Sequence, residues 1–165
     1  MKLRLLFVLP MLIVPGAASA QSVQLLGEFR DWSAFSASEG TGALCFAMAK
    51  STIVEPTPDG FTDAYLYLTH RPTDGVANEI NLVAGFEFAP DQPAVLTISG
   101  QSFGLFTQKD AAWLLDPKQA DSLAGAMRAG SSLTIEGTNV GGVKVTETFS
   151  LSGATAASRA IDGGC

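Results

Sequence analysis

A lone histidine, His70, and two cysteines, Cys45 and Cys165, are all the imidazole and thiol in these 165 residues. Zinc prefers nitrogen and sulfur ligands, so a metal site would have to be built mainly from carboxylates, an unusual set. Lys and Arg number 10 against 16 Asp and Glu, and a net charge of −6 is repelled by phosphate backbones. No stretch approaches the roughly 20 consecutive apolar residues that a bilayer-crossing helix needs. These scarcities argue against a metalloenzyme, a nucleic-acid binder and an integral membrane protein. What remains is a chain of ordinary single-domain length with enough apolar residues (47%) to bury a core.

The N-terminus carries its own message. Lys2 and Arg4 precede the short apolar run Leu5–Val14, and Ala18-Ser19-Ala20 follows with small residues at the positions a signal peptidase reads. The order predicts a signal peptide over residues 1–20 and a single domain over 21–165, placed in the periplasm or secreted. Losing Lys2 and Arg4 leaves eight basic residues against sixteen acidic ones, a charge of −8. In an oxidising compartment an even cysteine pair reads as a disulfide, so Cys45 and Cys165 are expected to join. Neither sits in a C-x-x-C motif or beside a basic residue that would make it a reactive thiol.

The rest reads mostly as strands. In Asn78–Phe88, Ile80, Leu82, Ala84, Phe86 and Phe88 share one face, with Glu79, Asn81 and Glu87 on the other. In Val143–Leu151, Val143, Val145, Phe149 and Leu151 lie opposite Lys144, Thr146, Thr148 and Ser150. Shorter strands are expected at Val23–Phe29, Ala43–Ala49, Ala64–Thr69, Ala94–Ser99, Phe103–Thr107, Ala111–Leu114 and Ser132–Gly137. Asn139-Val140-Gly141-Gly142 lies between two of these patterns and predicts a hairpin loop. One helix stands out. Asp116 is its candidate N-cap, Pro117 its first residue, and Ala120, Leu123, Ala124 and Met127 its apolar stripe, with Gly130 as the stop. A further helical turn is expected at Ala154–Ile161. About nine strands without βαβ alternation predict an all-β fold: an antiparallel, immunoglobulin-like sandwich with one short packed helix and a C-terminal helical turn.

Catalytic patterns are thin. Gly100-Gln101-Ser102-Phe103-Gly104 matches the G-x-S-x-G nucleophile elbow, but strand residues follow Ser102 where that motif needs a helix. His70 also precedes the serine, whereas the hydrolase order places the histidine last. His70 and Arg71 sit side by side at a strand end, where they could receive a carboxylate or phosphate, or simply pair locally, Arg71 with an acid such as Asp74. Tyr65 and Tyr67 share the strand face opposite Ala64, Leu66 and Leu68; they could seed an interface or lie under the helix. Trp32 and Trp113 are expected in the core. These residues predict no enzyme, cofactor or metal, and His70, Arg71, Tyr65 and Tyr67 form the candidate binding surface.

Several ordered motifs carry a family likeness: Asp31-Trp32, Cys45-Phe46, Thr69-His70-Arg71-Pro72, Asn78-Glu79, Phe103-Gly104-Leu105-Phe106-Thr107, Ala112-Trp113, Ala126-Met127, Phe149-Ser150-Leu151-Ser152-Gly153 and Cys165. Together they resemble the invasion-associated locus B family of alphaproteobacterial exported proteins. The resemblance implies an exported β-sandwich without known catalytic activity. The hairpin that carries an arginine in the family is here Gly137-Thr138-Asn139-Val140-Gly141-Gly142, which lacks one. The expected function is an envelope or periplasmic binding protein with an unidentified protein or envelope partner. The alternative is a small-ligand carrier with its cavity between the sheets and His70 and Arg71 at the mouth.

Overall fold

The computed structural model describes residues 22–39 and 42–165; the signal peptide expected over 1–20 lies outside them. Eleven strands form one antiparallel ladder: β1 Gln24–Phe29, β2 Trp32–Glu39, β3 Gly42–Lys50, β4 Ile53–Glu55, β5 Tyr65–Arg71, β6 Val76–Val83, β7 Ala94–Ile98, β8 Gln101–Gln108, β9 Ala111–Leu114, β10 Ser132–Thr138 and β11 Lys144–Ser150. Their order across the sheet is β1-β2-β3-β5-β6-β9-β8-β7-β10-β11-β4. The all-β architecture expected from the alternation is what forms.

The ladder curls until its last strands return to its first. The Trp32 indole donates to the Ser150 carbonyl at 2.9 Å, and the Asp31 amide donates to the Ser152 carbonyl at 3.3 Å. Inner-face residues from both ends therefore merge into one core that includes Trp32, Leu66, Leu82, Leu96, Leu105, Leu133 and Phe149. The fully buried leucines and aromatics among them each contribute about 1.5–3 kcal/mol relative to exposure. The two layers of the sandwich are thus halves of a single folded-over sheet.

Two strands escape the sequence pattern. β2 reads Trp-Ser-Ala-Phe-Ser-Ala-Ser-Glu, mostly small residues of low β propensity. Its full-length pairing with β3, from Trp32↔Ala49 to Glu39↔Gly42, decides its conformation. β4 has three residues and exists through its pairing with β11. The run Asn78–Phe88 is also shorter as a strand than its alternation suggests. β6 ends at Val83, and Gly85 at φ 70° bends the chain; a Cβ there would lie 2.3 Å from the Thr62 carbonyl oxygen. Phe86 and Phe88 stay buried beyond the bend.

The helix begins as read, but its first turn is 3₁₀. Pro117–Gln119 forms that turn, with the Asp116 carboxylate accepting from the Lys118 amide at 3.1 Å. Helix α1, Ala120–Ala129, then buries Leu123, Ala124 and Met127. Helix α2, Ala154–Gly164, buries Ala154, Ala157, Ser158 and Ile161 and packs on β1, β2, β3 and β5. Gly153 opens it at φ 98°, so close to β1 that a Cβ would lie 1.7 Å from the Phe29 carbonyl oxygen. The disulfide forms between Cys45 on β3 and Cys165 at the end of α2, with Cα atoms 5.8 Å apart.

Candidate functional site

The structure separates the four candidate residues. His70 is register partner to Cys45, only 7% exposed, and its Nδ1 lies 3.2 Å from Asp162 Oδ1 on α2. It packs where the C-terminal helix docks, beside the disulfide. Arg71 is engaged by the Glu79 and Asp74 carboxylates, so its guanidinium pairs locally. Tyr65 and Tyr67 are half-buried on the opposite sheet face, pointing away from the core leucines 66 and 68.

The two tyrosines have company that only the register reveals. Phe35 on β2 is paired with Phe46 on β3, and their rings stack at 5.1 Å. Phe46 lies 6.1 Å from Tyr67, and Tyr67 lies 6.5 Å from Tyr65. Tyr67 is paired across to Asn81 on β6, Asn81 to Trp113 on β9, and Trp113 to Phe106 on β8. The last pair stacks at 5.3 Å with planes 19° apart. Six neighbouring strands thus carry a belt of aromatic rings, broken once by Asn81, on the face turned away from the core. Trp113, expected in the core, is half-buried on this belt, whereas Trp32 is 1% exposed and lies in the core as expected. Phe106 is 43% exposed. Burial, and secondarily the neighbouring Tyr65, hold the Tyr67 phenol above its ordinary pKa.

One end of the belt opens into a cleft of about 560 Å³. It lies where β6 and β9 part, and Ile80, Phe106, Trp113, Leu114, Pro117 and Ala120 supply its apolar lining. Asn78, Glu79 and Gln108 supply its polar groups. The Asn78 side-chain amide donates to Asp121 at 3.0 Å, tying this rim to α1. The cleft is apolar with a few polar groups, the usual make-up of a ligand site of this size. Neither His70 nor Arg71 lines it.

Ser102 lies exposed within β8, with its Oγ 3.3 Å from the Thr97 hydroxyl and strand residues following it. The helix that a nucleophile elbow requires is not there. Among the described residues no group of three or more His, Cys, Asp or Glu is placed to hold a metal ion.

A model of the Invasion associated locus B (IalB) protein family matches residues 32–162. The chain belongs to this family. Among solved structures it is similar to invasion associated protein b from Bartonella henselae, with a TM-score of 0.59 at 16% identity. The match covers 88% of this chain and 97% of that one. At this identity the likeness speaks to the fold alone. No curated protein matches the sequence. The IalB match spans every residue of the belt, from Phe35 to Trp113. Among the described residues, no helix is long and apolar enough to cross a membrane.

Proposed function

We propose that this IalB protein is an exported, non-enzymatic binding module that meets an envelope macromolecule with the outer face of β2, β3, β5, β6, β9 and β8. The belt of Phe35, Phe46, Tyr67, Trp113 and Phe106 carries the reading. Aromatic side chains offer large contact area at low entropic cost, and Tyr, Trp and Phe are enriched in the fully buried centres of interfaces. A sheet face with no binding task usually alternates toward polar residues. Export rests on the order of Lys2, Arg4, the Leu5–Val14 run and Ala18-Ser19-Ala20. A non-enzymatic role is supported by the single, locally paired histidine and by the strand setting of Ser102. The name of the Bartonella neighbour is in keeping with a surface that meets other molecules, but it describes a phenotype and supplies no chemistry.

The test starts from protein expressed with its own N-terminus and recovered from the periplasm or medium. Its first residue is expected to be Gln21; retention of residues 1–20 would contradict export by cleavage. That material, immobilised, is expected to capture a partner from envelope extract above an unrelated acidic control. A Phe46→Ser, Phe106→Ser variant should lose most of that capture while unfolding at a similar denaturant concentration. Equal capture by parent and variant would refute the belt as the contact face.

The cleft favours a second reading, a small-ligand carrier, because about 560 Å³ lies within the usual range of ligand pockets. Native mass spectrometry separates the two: a carrier emerges from the cell with a bound small molecule, and an interaction module does not.

A further inference from the structure

Glu147 lies one strand from the end of the ladder, with only β4 beyond it. It is 1% exposed, and among the described residues neither carboxylate oxygen has a hydrogen-bond partner. Register partners share a face, so Val54 stands beside it on the inner side of β4, and Ile135 on that of β10. No charge faces it there. The inward residues of β10, β4 and β3, the elements packed on β11, are Leu133 and Ile135, Val54, and Ala47 and Ala49 beside the bridged Cys45. The other charged side chains of these strands, Glu136, Lys144, Glu55 and Lys50, are exposed, with Lys144 bonded to Glu136 and Lys50 to Asp63. Among the described residues His70 is the only other buried group that can ionise, and it lies against Asp162 on α2.

The two sides of Glu147 are held with unequal firmness. On the β10 side Leu133 and Ile135 are each 1% exposed and belong to the core. On the β4 side every residue from Thr52 to Gly60 is exposed except Val54 and Pro58, which are half-buried. β4 is held by three register pairs with β11, by the Thr52 amide and hydroxyl on the Thr148 carbonyl at 2.7 and 3.0 Å, and by Val54 against the core. Few buried contacts and exposed main-chain bonds mark a segment that opens by itself, well below the free energy of global unfolding. Water therefore reaches Glu147 most readily from the β4 side. While β4 is closed, burial pushes the Glu147 pKa up from 4.5 to about 8 and keeps the carboxyl neutral. Once β4 lifts, the carboxyl meets water, returns to the ordinary carboxylate range and releases its proton. Closure is thus favoured by protons and opening by their loss.

We propose that β4 is a pH-released strap: it closes over a neutral Glu147 and lifts when that carboxyl ionises, uncovering the Thr146–Thr148 edge of β11. An uncovered edge of this kind is a template for another strand, so the strap regulates which surface the protein shows.

Hydrogen exchange of the full exported protein at pH 5, 6 and 7, corrected for the intrinsic rate at each pH, tests this. Peptides spanning Thr52–Glu55 should exchange faster than those of β10 at every pH. Their protection should fall by about tenfold per pH unit in the parent and stay level in Glu147→Gln. Val54→Ala, which weakens the strap and leaves the carboxyl in place, should lower that protection at every pH and keep the slope. β4 exchanging no faster than β10 would overturn the proposal, because the strap would then open only with the whole fold. A level profile in the parent, a slope that persists in Glu147→Gln, or unchanged protection in Val54→Ala would overturn it too.

Discussion

Glu147→Gln is expected to unfold at a slightly higher denaturant concentration than the parent near pH 5 and at a much higher one at pH 8. Glu147 lies on the inner face of β11, between its register partners Ile135 on β10 and Val54 on β4. It is 1% exposed, and among the described residues neither carboxylate oxygen has a hydrogen-bond partner. Burial without compensation disfavours the charged form and pushes its pKa up from 4.5 to about 8. Between those two values the folded protein keeps a proton that the unfolded chain releases. Stability is therefore full below about pH 4.5 and falls as pH rises toward 8, by about 1.4 kcal/mol per unit. Glutamine cannot ionise and escapes this loss. The gap between variant and parent should open to about 4 kcal/mol by pH 8. Denaturant unfolding at pH 5, 6, 7 and 8 measures it, and parallel stability profiles for the two proteins would contradict the placement of Glu147.

Replacing both cysteines, as Cys45→Ala with Cys165→Ala, should cost about 3–5 kcal/mol. The bridge spans 120 residues of sequence, and a loop of that length gives about 5 kcal/mol in the chain-entropy model, with delivered values often lower. The loss also has a place. Cys45 is fully buried on β3, and Cys165 ends α2, which is also held by buried Ala154, Ala157, Ser158 and Ile161 and by the His70–Asp162 contact. Without the bridge, α2 should become the first segment open to proteolysis. Denaturant midpoints and limited proteolysis of the double variant check both points. An unchanged midpoint, or two free thiols in the exported parent, would show that the bridge does not hold the fold.

Much of this architecture was legible because local pattern and tertiary structure agree. The alternation of Ile80, Leu82 and Ala84, the stripe of Leu123, Ala124 and Met127, and the Asp116-Pro117 start all reappear where the sequence placed them. The two cysteines met as compartment and parity suggested. What stayed hidden depends on partners far along the chain. The small residues of β2 carry little strand signal, and β3 supplies the conformation. Glu147 shares the inward parity of Val145 and Phe149, but alternation by itself gives no reason to expect a carboxylate there. The belt shows the same limit most clearly. Tyr65 and Tyr67 declare a common face within one strand. Phe35, Phe46, Phe106 and Trp113 join them only because the ladder runs β2-β3-β5-β6-β9-β8, an order no local pattern encodes. The cleft is further out of reach, since it arises from the early end of one pairing, at Asn81↔Trp113.

The outer face, and not the rest of the surface, is proposed to meet the partner. Site-specific photo-crosslinking in living cells tests it most directly. A photoreactive residue is placed singly at Phe35, Phe46 or Phe106 on the belt, and at Thr97, Thr134 or Lys144 on the outward face of β7, β10 and β11. The three belt positions are expected to yield a common discrete crosslinked species and the three opposite positions none. Crosslinks of equal strength from both faces, or from the opposite face alone, would contradict it.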